Sequence, residues 1–194
     1  ETQRSAQEVG GWQNCHLMRL AVASLWSSEE DGFSDYYEED VEDLMEEFDR
    51  ADLVIGFNVK RFDYRVLSAY TNRDFTAIPT FDMLEEIKSI LGYRLSLQHL
   101  AEASLGRGKT GDGLQSLRWW KEGKVDLVTR YCRADVELTR DLLFFGRDEG
   151  YLLYDRKEMG RVRLPVDWDW EKLIEKASRV KKKGRSSYAT KGAA

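Results

Sequence analysis

The stretch Leu53-Val54-Ile55-Gly56-Phe57-Asn58-Val59-Lys60-Arg61-Phe62-Asp63 constrains this chain more than any other. Its first half is an apolar run of β-branched and aromatic residues, which reads as a strand buried on both faces of a helix-covered sheet. Asn58 ends the run, and Asp63 stands five positions later, at the mouth of a helix-like pattern. Open α/β sheets place their ligands just past the carboxyl ends of such strands. One carboxylate there does little alone, so the function turns on whether Asp63 has partners elsewhere.

The flanking pattern sets the architecture. Leu17 to Trp26 is mostly apolar and predicts a strand. Glu29-Glu30-Asp31-Gly32 makes a turn, with Gly32 able to take positive φ, and Phe33 to Tyr37 returns as the second arm of a hairpin. Val41, Leu44, Met45 and Phe48 recur at helical spacing, so the acidic residues around them form a solvated face. A helix is expected from Asp63 through Tyr70 and a short strand over Thr76 to Phe81. Asp82 then reads as the N-cap of a helix carrying Met83, Leu84, Ile87, Ile90 and Leu91. Ser96 caps a helix over Leu95 to Leu105, which Gly106 ends. A Gly-rich loop over 106–113, a helix over Leu114 to Trp120, a break at Gly123 and a long helix over Val125 to Phe145 follow. A last hairpin joins Tyr151–Tyr154 to Val162–Val166. This order predicts an α/β domain over residues 1–169, its mixed sheet flanked by helices. A basic tail, disordered or a linker, is expected over 170–194.

Bulk properties narrow the class. A hydrophobic fraction of 42% and an aromatic fraction of 12% are those of a globular protein, not a disordered one. Cys15 and Cys132 lie far apart, and His16 and His99 are the only histidines, which argues against a zinc centre and for a reducing compartment. No apolar run approaches the ~20 residues of a membrane span. With no leader pattern, the expected location is cytoplasmic, without a membrane partner. The net charge of −5 conceals segregation, acidic over 29–52 and basic over 179–185. The chain opens on Glu1 rather than Met, so its natural start is expected upstream.

The predicted long helix carries Tyr131-Cys132-Arg133-Ala134-Asp135. A spacing of four puts the phenol and the carboxylate on one face. Val125, Val128, Cys132 and Val136 mark this helix as packed, so an Asp near its buried side needs compensation, which a divalent cation supplies. Asn58-x-x-x-Phe62-Asp63 followed by Tyr131-x-x-x-Asp135 resembles the second and third motifs of the DEDD superfamily of 3′-to-5′ exonucleases, in its tyrosine subclass. Glu1-Thr2 matches the second half of that superfamily's first motif, Asp-x-Glu-Thr, whose Asp is absent from this chain. The likeness covers roughly residues 1–168. Within it, 96–101 and 105–113 resemble the stand-alone or helicase-attached members.

The resemblance implies an RNase H-like three-layer fold lacking most of its first strand in this chain. It implies two Mg²⁺ or Mn²⁺ ions held by Glu1, Asp63 and Asp135, with Tyr131 orienting the attacking water. Thr2, Asn58 and Phe62 would lie near the terminal nucleotide, although core packing also explains Phe62, and Lys109 with Arg107 would touch the backbone. The implied substrate is a single-stranded DNA or RNA 3′ end, and the implied partner a helicase. The residue chemistry agrees: phosphodiester hydrolysis at neutral pH needs charge neutralisation and an activated water, which two hard cations on carboxylate oxygens provide. Lacking the Asp that bridges both metals, the chain as it stands is expected to show weak or no metal-dependent activity. The rival is a non-catalytic RNase H-like module that binds nucleic acid or docks a helicase.

Other signals are weaker. Residues 103–110 satisfy a loose phosphate-loop pattern, but a helix rather than a strand precedes them. Trp119 and Trp120 read as packing, and Asp82 as a cap.

Overall fold

Apolar spacing and caps place the helices where the sequence predicts them. The computed structural model describes residues 1–108 and 113–175. Strands β1 (Ala23–Ser27) and β2 (Gly32–Tyr36) form an antiparallel hairpin, with Ala23 opposite Tyr36 and Ser27 opposite Gly32. Helix α1 (Val41–Arg50) buries Val41, Leu44, Met45 and Phe48 and leaves its acidic faces outward. Arg73 holds it from outside, donating to the Met45 carbonyl (3.1 Å) and pairing with Glu42 and Asp49.

Strand β3 (Val54–Gly56) runs parallel to β4 (Thr80–Asp82), and the short helix α2 (Asp63–Leu67) lies between them in sequence. Helix α3 (Met83–Leu91) starts on the Asp82 side chain and ends at Gly92. Helix α4 (Leu97–Leu105) is capped by Ser96 and closed by Gly106, both as expected. Helices α5 (Gly113–Lys121) and α6 (Val125–Glu149) follow, then the hairpin of β5 (Tyr151–Arg156) and β6 (Gly160–Pro165).

Several boundaries differ from the sequence reading. The strand expected over 17–26 is broken because Arg19 takes φ 61°. Trp12–Leu17 is a 3-10 helix, and only Ala23–Ser27 belongs to the hairpin. The opening strand stops at Gly56 because Asn58 turns at φ 67°. Phe75–Ala77 winds into a 3-10 turn on the Asp74 cap, so β4 begins at Thr80. In the β1–β2 turn the positive φ falls on Asp31 (47°), while Gly32 already pairs with Ser27.

Both strand orientations occur, but the expected single mixed sheet does not. Among the described residues the strands form three two-stranded sheets, because no described strand bonds β1 to β3. Residues 1–3 take part of that role, pairing backbone to backbone with 19–22.

The largest core cluster lies among α3, α4, α6 and the last hairpin, where Met83, Ile87, Leu100, Leu142, Leu152 and Trp168 are at most 2% exposed. The folded body runs past residue 169, since Leu173 is 6% exposed in this core and Trp170 packs edge-on against Phe144. The rest of the expected tail, including the basic run 179–185, lies outside the described residues. No described helix is long and apolar enough to cross a membrane.

Trp168 fits only because α6 has Gly146 beneath it. A Cβ at Gly146 would stand 2.5 Å from Trp168 Cε3 and 2.7 Å from Cζ3. Alanine is the better helix former by about 1 kcal/mol, but overpacking of this kind costs about 1–3 kcal/mol. Gly146→Ala is therefore expected to destabilise the protein, as a lowered midpoint in urea unfolding; a raised midpoint would contradict this packing.

Candidate active site

The carbonyl oxygen of Val22 is where the N-terminus and α6 meet. The Glu1 ammonium donates to it at 2.7 Å, and the Cys132 thiol lies 3.8 Å from it. Ala21 N–H bonds back to the Glu1 carbonyl at 3.0 Å, Thr2 pairs with Leu20, and Gln3 N–H reaches the Arg19 carbonyl at 3.0 Å. A polar cluster fastens this join. Gln3 Nε2 donates to the Leu20 carbonyl (2.7 Å) and to Glu38 (3.0 Å). Glu38 also accepts from the Arg19 guanidinium (2.6 Å) and the Tyr70 hydroxyl (2.5 Å), and that hydroxyl accepts from Leu20 N–H at 2.8 Å.

Asp82 builds the opposite wall. Its carboxylate, in a residue 2% exposed, caps α3 through Leu84 N–H (3.0 Å) and Glu85 N–H (3.3 Å). It also accepts from Asn58 N–H (2.9 Å) and Lys60 N–H (3.1 Å). The sequence showed the cap; it gave no sign that the same carboxylate shapes the 57–60 turn leading to Asp63.

Asp63 opens α2 in a recess, exposed to solvent on one side and crowded by protein on the others. Crowding pushes its carboxyl up, to about 6, and the negative charges of Glu1 and Asp82 push the same way. The N-terminal ammonium and a backbone N–H oppose them. Open water screens part of this field. Glu1 and Asp63 thus lie close enough for their charges to interact.

On α6, Val128, Tyr131, Cys132, Leu138 and Leu142 form the buried stripe. Asp135 falls in that stripe, seven residues after Val128 and three before Leu138, and is half-buried. Tyr131 is 4% exposed and meets Trp119 edge-on at 6.3 Å. Because Cys132 touches Val22, the turn carrying Tyr131 and Asp135 abuts the strand that holds Glu1. Arg133 points away, onto Asp35 at 2.5 Å.

All candidate metal donors are carboxylate oxygens, the chemistry that Mg²⁺ and Mn²⁺ favour. Among the described residues, no three His, Cys, Asp or Glu side chains are gathered closely enough to hold a metal ion. The donor type fits, but a finished cage is not preformed.

The remaining candidates divide. Thr2 turns its hydroxyl onto the Arg4 carbonyl at 3.1 Å. Asn58 Oδ1 accepts from Arg94 at 2.6 Å, a partner that sequence spacing did not suggest. Phe62 packs with Cys15, Met18 and Val66 and meets Trp12 edge-on at 5.9 Å. Its ring is thus engaged by the core, and Trp12, 68% exposed, is the open aromatic here. Lys109 lies outside the described residues, as does the end of the loose phosphate-loop pattern, while Arg107 pairs with Glu137 and Asp141 on α6. His99 Nε2 accepts from Asp155 N–H at 3.0 Å, a structural role. Trp119 and Trp120 pack against Ala21, Val22, Val128 and Cys132, as expected of them.

Comparison with protein families matches residues 15–144 to the family described as the RNase H superfamily. Asn58, Phe62, Asp63, Tyr131 and Asp135 lie inside that span; Glu1 and Thr2 lie before it. No curated protein and no solved structure gives a match.

The cluster that holds residues 1–3 is pH-sensitive. Partial burial pulls Glu38 upward, but hydrogen bonds from Arg19, Tyr70 and Gln3 outweigh it and hold the carboxyl below its ordinary 4.5. A depressed folded-state pKa adds stability above the unfolded value, and that stability is lost as pH falls through the folded one. Wild-type unfolding midpoints should therefore drop as pH goes below about 4.5, and Glu38→Gln should flatten that part of the curve. Parallel acid limbs in urea titrations would show that the cluster carries no such linkage.

Proposed function

The chain belongs to the RNase H superfamily and has its α/β fold, and on that premise we propose that it is a divalent-metal-dependent 3′-to-5′ exonuclease acting on single-stranded DNA or RNA ends. One observation carries the reading. Asn58–Asp63 and Tyr131–Asp135 both fall inside the span matched to the superfamily, and the Val22 carbonyl, which accepts from the Glu1 nitrogen, lies beside Cys132 between Tyr131 and Asp135 in sequence.

In this reading Glu1, Asp63 and Asp135 are the carboxylates that hold two Mg²⁺ or Mn²⁺ ions. Those ions, when bound, supply charge neutralisation at the scissile phosphate and a water acidic enough to act as hydroxide near neutral pH. Tyr131, whose phenol at a reference pKa of ~10 is already protonated near neutral pH and so cannot take the proton, orients the attacking water by hydrogen bonding. Asp82 positions Asp63 from behind, because it accepts from Asn58 and Lys60 N–H in the turn that delivers Asp63 while capping α3. Asn58, held by Asp82 and Arg94, presents the end of β3 to the terminal nucleotide. A helicase as partner, or as an attached domain, rests on the motif likeness at 96–101 and 105–113.

The second reading is a non-catalytic nucleic-acid-binding module of the same superfamily. It is favoured by the lack of a pre-gathered ligand triad among the described residues.

A 5′-labelled single strand, incubated with Mg²⁺ or Mn²⁺, separates the two. Cleavage from the 3′ end is expected, weak in the chain as it stands and stronger when Asp-x is added ahead of Glu1. Asp63→Asn and Asp135→Asn should each lower the rate by about 100-fold or more, the scale of losing one electrostatic contributor to a transition state. Retained strand binding with no cleavage in either form would replace the nuclease with the binding module.

A further inference from the structure

Beside the recess, on the outer side of the Asn58–Asp63 turn, lies an open depression of about 300 Å³. It is lined by Arg61, Leu84, Glu85, Lys88, Ser89 and Arg94. Leu84, 7% exposed, is its floor, and the cations stand around it in solvent. The single acid in the lining, Glu85, is engaged by Lys60 at 2.9 Å. Arg94 donates to a neutral acceptor, Asn58 Oδ1, at 2.6 Å. Among the described residues neither Arg61 nor Lys88 has a carboxylate within ion-pair distance. Three cations therefore face one small concavity against a single carboxylate that Lys60 already engages, in a chain whose net charge is −5.

Like charges facing one concavity repel, and that single carboxylate does not balance them. A polyanion does. The depression also sits on the loop that delivers the candidate catalytic carboxylate, since Arg61 precedes Asp63 by two residues. Arg94 is joined to the same loop through Asn58, whose backbone N–H is fixed by Asp82.

We propose that this depression is a phosphate-binding groove for the sugar–phosphate backbone of a single-stranded nucleic acid, gripping the strand whose end enters the neighbouring recess. The proposal rests on the nucleic-acid reading given above and adds the surface that holds the substrate. Arg61, Lys88 and Arg94 contact consecutive phosphates, so recognition is independent of sequence. Arginine forks take two phosphate oxygens at once, and the lysine acts as a point charge.

The test uses the full chain with EDTA present, so that binding is read without cleavage. The probe is a 5′-fluorescein oligothymidine of ~15 nucleotides, followed by fluorescence anisotropy between about 50 and 200 mM salt. Removing one phosphate-binding side chain should reduce the magnitude of the log K against log salt slope by about 0.7. Lys88→Gln and Arg61→Gln are each expected to show that change and to bind more weakly at the lowest salt. The triple variant with Arg94→Gln should drop by about 2 in slope, while Lys157→Gln on the distant hairpin turn should bind as wild type. Thermal unfolding establishes that each variant is folded; among the described residues, the Lys88 and Arg61 side chains make no hydrogen bond whose removal would weaken the fold.

Unchanged slopes in folded Lys88→Gln and Arg61→Gln overturn the proposal. So does a result in which inorganic phosphate protects wild type but not Lys88→Gln from heat while their oligonucleotide slopes coincide, since that marks a free-anion site. Slope changes followed by no cleavage on adding Mg²⁺ support the groove and remove only the nuclease.

Discussion

The recess depends on one backbone acceptor, the Val22 carbonyl. It takes a bond from the Glu1 nitrogen and lies against the Cys132 thiol, so residue 1, the lead into β1 and the long helix meet at a single atom. A backbone hydrogen bond contributes about 0.5–1.5 kcal/mol, and this one continues the pairing of residues 1–3 with residues 19–22. Everything placed at the mouth of β3 faces a wall whose position this bond sets.

Two aspartates at the carboxyl ends of neighbouring parallel strands show how environment assigns different work to one side chain. Asp82 accepts four backbone N–H groups and is closed to solvent. Its bonding capacity is spent on shape. Asp63 keeps an open face and sits among like charges, so it retains the capacity to bind something that the protein does not supply. The turn after β3, with Asn58 in the left-handed region, is held by one and leads into the other.

Local signals were legible and long-range ones were not. The spacing of Val41, Leu44, Met45 and Phe48, the caps at Asp82 and Ser96 and the terminating Gly106 act within a few residues, and the helices stand where they point. Sheet pairing depends on partners far apart in sequence, so a single mixed sheet was expected where three short ribbons formed. The same limit applies at the recess. The Asn58–Asp63 and Tyr131–Asp135 spacings are readable along the chain, but the Arg94 contact to Asn58 spans 36 residues and the Arg65 contact to the Gln13 carbonyl spans 52. Phe62 entered as a substrate contact through its motif, and its ring is engaged with Trp12 because the 3-10 helix folds back onto α2.

Helix α6 joins regions that otherwise share little. Its N-terminal half carries Tyr131 and Asp135, and its C-terminal half seats Trp168 over Gly146. At 1.5 Å per residue the eleven positions from Asp135 to Gly146 make a rigid arm of about 16 Å. Pivoting that arm by about 4° at its far end swings Asp135 by about 1 Å, a displacement on the scale that ruins catalytic alignment. The hairpin and the tryptophan thereby act as the bearing of the candidate site: how tightly they clamp one end of a rod decides how accurately the other end is aimed.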